Sequence, residues 1–555
     1  MAAPRITRHF VTVRGERQVH YRRAGSGPPV VLLHQSPTSS TEYIPLIEEL
    51  AAEFTVFAPD TAGNGLSDAL SKDWPDMEDF ADGVANLLDA LKLPDVPVYG
   101  FHTGGVCALA MGLRHPNRAS VYIMNGYLQM EKEERDEFLT HYLPPFAPEW
   151  SGAYLTWSWS RFREQSIFFP WYAKSASRRM AVDLPPPERI HWAVMEFFRA
   201  GDNYRRAYRP AFTFDTANAV RNMGANMVIM TAKTDPLDAY MAKMPKPPAN
   251  VTTISPPDFV AAKDQAKEIF RKHARGTAPA VVPTEPMPGR IWAEYLQIDG
   301  ASLYARRNTD APGRPIVFIH ASAGSALGMD RHMRPFIGKR PVLAVDLPGN
   351  GESDNPQDYK HGGSTVTVEA QARYLALAIK AAGYTEVDVY GYWGGSAVGI
   401  ELAIQNPGLV KNLAVPSLHI REPAYRDELL AKYTPPVVPD TAGSHLIRVW
   451  HQVRDQELFA PWFKTDNAHA IKAPVEANLA PEVLHRRTVD LLKAANTYAG
   501  AYAAYFSYPE FERLAHTTCR VLVGAPGDAA TEKAMKVLGS RGVAGLSIAD
   551  FFTNG

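Results

Sequence analysis

Val98-Tyr-Gly-Phe-His-Thr-Gly104 returns 291 residues later as Val389-Tyr-Gly-Tyr-Trp-Gly-Gly395. Each stretch is a short β-branched, aromatic run closed by glycines, the pattern of a strand that turns sharply into a helix. The spacing of 291 persists downstream, from His115-Pro116 to Asn406-Pro407 and from Pro170-Trp171 to Pro461-Trp462. It also joins Trp159-Ser-Arg-Phe-Arg-Glu-Gln165 to Trp450-His-Gln-Val-Arg-Asp-Gln456. Upstream it becomes 286: Val30-Val-Leu-Leu-His34 matches Ile316-Val-Phe-Ile-His320, and Asp60-Thr-Ala-Gly-Asn-Gly-Leu-Ser-Asp68 matches Asp346-Leu-Pro-Gly-Asn-Gly-Glu-Ser-Asp354. Near Asp235 and Asp528 it is 293. So few adjustments over so much chain mean that the two halves are duplicates.

A length of 555 residues exceeds what one hydrophobic core supports and agrees with two domains. The boundaries expected are 1–275 for the first, 276–289 for a proline-rich linker and 290–555 for the second. Hydrophobic residues make up 46% and charged residues 21%, with a net charge of −1. Such a chain has no field to gather nucleic acid or an anionic membrane surface, so neither is expected as a partner. Two cysteines, Cys107 and Cys519, cannot build a disulfide framework or a metal cage, and no apolar run reaches membrane-span length. Met1–Phe10 lacks the apolar segment of a signal peptide, so a cytoplasmic location is expected.

Within the first half, strands are expected at Phe10–Val13, Gln18–Arg22, Val30–His34, Thr55–Ala58, Val96–Tyr99, Ser120–Met124, Met227–Thr231 and Val251–Ile254. Helical patterns such as Met77–Leu91 and Gly105–Arg114 separate them. Nearly continuous apolar strands alternating with helices predict an α/β fold with a mostly parallel sheet covered on both faces. About a hundred residues, near 126–223 and again near 417–517, intervene between the sixth and seventh strands and are read as a helical cap. This order, the His34 and His320 strand ends and the Asp-x-x-Gly-Asn-Gly-x-Ser-Asp segments resemble the α/β-hydrolase fold, twice in tandem, with eight strands per copy. That fold hosts many chemistries, so the resemblance implies no particular reaction.

In that family the turn after the fifth strand reads G-x-S-x-G and carries a serine nucleophile. Here Gly100-Phe-His-Thr-Gly104 places His102 at that position, and Gly391-Tyr-Trp-Gly-Gly395 places Trp393 there. Ser396 cannot take the role, because His102 to Pro116 and Trp393 to Pro407 are equally long. The family's acid follows the seventh strand, where Asp235 and Asp528 stand; no histidine follows the eighth strand in either half. A Ser-His-Asp triad is thereby excluded. The resemblance further implies oxyanion donors at the backbone of Thr103 with Gln35 or Ser36.

His102 is accordingly the sharpest catalytic candidate, as base, acid or nucleophile, with Asp235 to orient it, and the alternative is an idle histidine on a degenerate turn. Trp393 carries no titratable group and is expected to fill its own pocket. In the second cap His451 and Asp455 lie four apart on one helix face, either as a catalytic pair or as a clamp holding the cap. The aromatic first cap, with Trp159 and Trp171 as expected pocket residues, suits a small apolar substrate, although most such rings belong to a core. No dinucleotide fingerprint, P-loop or zinc spacing is present, so neither cofactor nor metal is expected. The function expected is a cofactor-free hydrolase or C–C lyase acting on a small apolar carbonyl compound through His102. The second domain would act as an internal pseudo-dimer partner, with further homo-oligomerisation open. The rival is a catalytically dead binding or scaffold protein.

Overall fold

The structure, a computed structural model, describes residues 4–298, 301–355, 366–472 and 477–553. The chain folds into two compact units, Met1–Ala147 with Thr156–Glu285, and Pro148–Leu155 with Pro286–Gly555.

The first unit holds β1 (Thr7–Val13), β2 (Arg17–Ala24), β3 (Pro29–Leu33), β4 (Thr55–Pro59), β5 (Val98–Phe101), β6 (Tyr122–Asn125), β7 (Met227–Met230) and β8 (Val251–Ile254). They form one sheet in the order β1-β2-β4-β3-β5-β6-β7-β8, antiparallel only through β2. The second unit repeats the order with β9 (Trp292–Ile298), β10 (Ala301–Asn308), β11 (Ile316–Ile319), β12 (Val342–Val345), β13 (Val387–Gly391), β14 (Val410–Ala414), β15 (Arg520–Leu522) and β16 (Gly542–Val543). Every residue of β3, β4, β11 and β12 is buried, as parallel strands sandwiched by helices require. Each fully buried Val, Leu or Ile there contributes about 1.5–3 kcal/mol. Where the sequence suggests Val96–Tyr99 for the fifth strand, β5 begins at Val98, because Pro97 has no N–H for the ladder.

Several helices start on a side-chain cap. Asp76 and Asp79 exchange side chain-to-backbone bonds at the head of Met77–Ala90, and Thr367 accepts from Ala370 N–H at the head of Val368–Ala381. Five helices separate β6 from β7: Lys132–His141, Ala153–Gln165, Pro187–Ala200, Asn203–Thr213 and Thr216–Arg221. Among the described residues five α-helices separate β14 from β15: Pro423–Lys432, Ser444–Asp455, Pro481–Lys493, Tyr498–Ser507 and Glu510–Leu514. The proline-rich stretch forms no helix or strand, and its end is fastened to β1, where Thr284 Oγ1 donates to Phe10 O and Thr12 Oγ1 to Glu285 O. Among the described residues no helix is long and apolar enough to cross a membrane.

Repeated sequence marks translate into repeated ties. His34 donates from Nδ1 to Gln35 O and accepts Thr61 N–H at Nε2, 2.9 Å. His320 does the same with Ala321 O and Leu347 N–H. Asp60 accepts the N–H groups of Ser40 and Leu66, and Asp346 those of Ala326 and Glu352. A Cβ on Gly65 would lie 2.1 Å from Asp60 Oδ2, and one on Gly351 2.0 Å from Asp346 Oδ2, so the second glycine of Gly-Asn-Gly makes room for the carboxylate.

Candidate active site

His102 sits at the corner between β5 and the helix Thr103–Arg114, with φ 47° and ψ −110°. Trp393 takes φ 50° and ψ −120° at the corner between β13 and Gly394–Gln405, which fixes the two as equivalents. These are left-handed conformations that a side chain adopts only under constraint. The constraint is crowding: a Cβ on Gly100 would come 1.9 Å from Gly104 O, and one on Gly104 2.1 Å from Leu33 O. Ser396 is buried one turn into its helix and donates to Gly391 O at 3.0 Å.

The His102 ring stacks on Phe101, with centroids 3.9 Å apart, and crosses Gly126 just after β6. A Cβ on Gly126 would stand 2.3 Å from His102 Cδ2, so only glycine leaves the ring its path. That path ends at Asp235, whose Oδ2 lies 2.8 Å from His102 Nε2. Asp235 Oδ1 accepts Leu237 N–H at 2.9 Å, and its side chain is 0% exposed against 24% for His102. Sequence spacing left open whether the two reach each other without an intervening histidine, and the structure brings them together directly. Facing a carboxylate, Nε2 donates, which leaves Nδ1 as a lone-pair acceptor with no hydrogen-bond partner among the described residues.

Of the oxyanion candidates, Gln35 is already committed: its N–H and its side-chain amide both go to Glu42. The N–H groups of Ser36 and Thr103 donate to no protein acceptor among the described residues. Ser36, Thr103 and Gly104 line a small cavity with His34, Thr61 and Ala207. Thr103 Oγ1 is also buried, with no partner among the described residues.

Other expectations are corrected. Trp393 fills no pocket: it is 46% exposed and stacks on His419, with centroids 4.9 Å apart. Behind the corner Tyr505 packs against Gly394 and reaches His419 Nδ1 at 3.2 Å. Tyr204 and Tyr498 bond Pro144 O and Pro435 O alike, and in that register Tyr505 stands where the first unit has Ala211. His451 and Asp455 form neither a dyad nor a clamp. His451 is exposed, and Asp455 pairs with its neighbour Arg454, because a solvated helix face leaves both side chains free to part. Asp528 caps the helix Ala529–Leu538 through Thr531 N–H and faces no base at Trp393. Trp159 is buried in the core of the cap, and Trp171, half-buried, spends its indole N–H on Tyr142 O. Cys107 and Cys519 are buried and free, with burial pushing their thiols up to about 12 and about 11. No group of three or more His, Cys, Asp or Glu able to hold a metal occurs among the described residues.

Sheet order, cap position and strained corner define the class: this is the α/β-hydrolase fold in tandem duplicate, with no serine at either corner. The model of the α/β-hydrolase fold family matches residues 28–156. An uncharacterized protein of Mycobacterium tuberculosis is 36% identical over 110 residues, which are 20% of this chain and 32% of the relative. A soluble epoxide hydrolase of Corynebacterium sp. is 41% identical over 103 residues, 19% of this chain and 35% of that enzyme. The chain thus spans about a third of the length of these curated relatives. The solved E-2-(acetamidomethylene)succinate hydrolase is 18% identical, with TM-score 0.38, over 48% of this chain and 99% of its own.

Proposed function

We propose that the first unit is an enzyme that acts on a small carbonyl compound with an apolar body, using His102 as general base and needing no cofactor. The observation that carries this reading is the 2.8 Å bond from His102 Nε2 to buried Asp235, which leaves Nδ1 free to take a proton. In hydrolysis of an ester or lactone, Nδ1 removes a proton from water as its oxygen attacks the carbonyl carbon. The carbonyl π electrons move to oxygen, which is met by the N–H groups of Ser36 and Thr103. Collapse of the adduct breaks the bond to the leaving oxygen, which takes the proton back from His102. Asp235 holds the tautomer and stabilises the imidazolium throughout. The same base and oxyanion donors serve C–C cleavage of a β-diketone, with carbon as the leaving group. Hydrolases among the relatives favour the first form.

Trp393 supplies no proton-transfer group, and we assign the second unit no chemistry. The test is a panel of aromatic and alicyclic esters, lactones and β-diketones, followed by variants on whichever compound turns over. His102→Ala should lower turnover by about 10²–10⁴-fold, the usual worth of a positioned base, while Trp393→Phe leaves it near normal. Full activity in His102→Ala would overturn the assignment. Tight binding without turnover across the panel would favour a binding protein.

A further inference from the structure

Arg161 lies on the cap helix Ala153–Gln165 and is 1% exposed. Its guanidinium is boxed by the rings of Phe162, Trp171, Phe197 and Tyr204, at 4.6, 5.3, 5.5 and 5.8 Å from their centroids. Such stacking satisfies the faces of a guanidinium but not the N–H groups in its plane. Of those, Nη1 donates to Gln165 Oε1 at 2.9 Å. Nε and Nη2 are buried and have no hydrogen-bond partner, and no carboxylate pairs with Arg161 among the described residues. A buried cation left with bare donors is costly to maintain unless something meets it.

The shape of the bare edge says what that is. Nε–H and Nη2–H point the same way and match the two oxygens of a carboxylate. This protein uses that edge repeatedly. Arg114 grips Asp82 with it at 2.5 and 2.8 Å, Arg205 grips Asp202 at 2.8 and 2.6 Å, and Arg306 grips Asp330 at 2.7 and 2.6 Å. At Arg161 the fork is the same and the protein's own carboxylate is missing. One helix links the box to the cavity beside the His102 corner. Tyr204, over which the guanidinium lies, is one helical turn from Ala207, which lines the cavity beside Ser36 and Thr103. In the duplicate the position is Gln452, buried and neutral.

We propose that the Nε/Nη2 edge of Arg161 binds a carboxylate of the substrate, so that the first unit takes small carbonyl compounds that also carry a carboxylate group. This rests on reading the first unit as an enzyme whose substrate lies under its cap. Because the guanidinium is enclosed, a ligand reaches it only with movement of the surrounding rings.

The experiment is calorimetric titration of the full chain with benzoate and phenylacetate, each beside its neutral amide. The acids should bind about 10–100-fold tighter than benzamide and phenylacetamide, the worth of hydrogen bonds to a charged group. Arg161→Gln, which installs the residue of the duplicate, should erase that gap, and Arg161→Lys, with charge but no fork, should keep only part of it. His102→Ala should leave the gap intact, so a failure of the general-base reading is separable from a failure here. Equal binding of acid and amide to the native protein, or a gap that survives Arg161→Gln, would overturn the proposal. So would a fall of many degrees in the Tm of Arg161→Gln together with no acid binding by the native protein, since Arg161 would then be a structural cation.

Discussion

Replacing Asp235 by Asn changes one atom of the dyad and reverses its hydrogen-bond logic. The Oδ1 side can go on accepting Leu237 N–H, so the NH₂ group must face His102 Nε2, where Oδ2 now accepts at 2.8 Å. Two donors then confront each other unless the imidazole moves its proton to Nδ1. Keeping the old tautomer would leave a buried donor unmet at about 1–3 kcal/mol, which reduces the competent form by roughly 5–150-fold. The imidazolium formed during proton transfer also loses its counter-charge, and together the two effects should bring turnover down by about 10⁴-fold, as in other histidine–aspartate systems. Two assays follow. Nitrogen NMR of selectively labelled His102 should show the proton on Nε2 in the native protein and on Nδ1 in Asp235→Asn, with no substrate needed. Turnover on a compound from the ester and lactone panel gives the second reading. A native protein with its proton on Nδ1, or an Asp235→Asn variant within about threefold of native turnover, would refute the reasoning.

Gly126→Ala should push the His102 ring off Asp235, since its Cβ would stand 2.3 Å from Cδ2 at a backbone φ of +94°. Turnover should drop by at least ~10²-fold while far-UV circular dichroism stays native. Fluorophosphonate probes should label neither corner, His102 and Trp393 having no hydroxyl and Ser396 being buried on Gly391 O; mass spectrometry showing stoichiometric labelling at Ser396 would contradict this. Asp346 has its carboxyl pushed by burial up to about 7, whereas Asp60, buried too, is held far below the usual range by His20 beside it. A raised folded pKa means stability that is full below the unfolded value near 4 and is lost as pH rises towards 7. The second unit should therefore lose of the order of 4 kcal/mol over that window. Asp346→Asn should flatten that slope in denaturant titrations at pH 4, 5.5 and 7.

The fold was legible because its signals are local and occur twice. Val30–His34 against Ile316–His320 and the two Gly-Asn-Gly segments carry strand period, turn chemistry and register together, and the duplicate fixed the corner without guesswork about gaps. The site was legible only in part. That His102 reaches Asp235 depends on Gly126, which the chain places after β6, and a missing Cβ announces nothing about which ring passes over it. His451 and Asp455 show the reverse error: four-residue spacing brings side chains to one face but cannot say that they prefer each other to solvent or to Arg454. Trp393 departs from expectation because large aromatics are usually buried, whereas this one lies 46% exposed against His419, a partner distant in sequence. Arg161 gave no sign at all, since an arginine on a polar-looking helix stretch reads as a solvated face.

The persistence of the left-handed corner at Trp393 bears on how such proteins are read. The second copy has no base or nucleophile there, yet it keeps φ 50°, a conformation that costs about 1–3 kcal/mol. Glycines hold it: a Cβ on Gly391 would approach Gly395 O at 2.6 Å, and one on Gly395 would approach Ile319 O at 2.6 Å. The bend is therefore a habit of the scaffold, inherited with the sheet and indifferent to whether anything reacts on it. A sharp corner with the right torsion angles is a socket, and only the residue plugged into it, with whatever that residue can reach, distinguishes a working copy from a retired one.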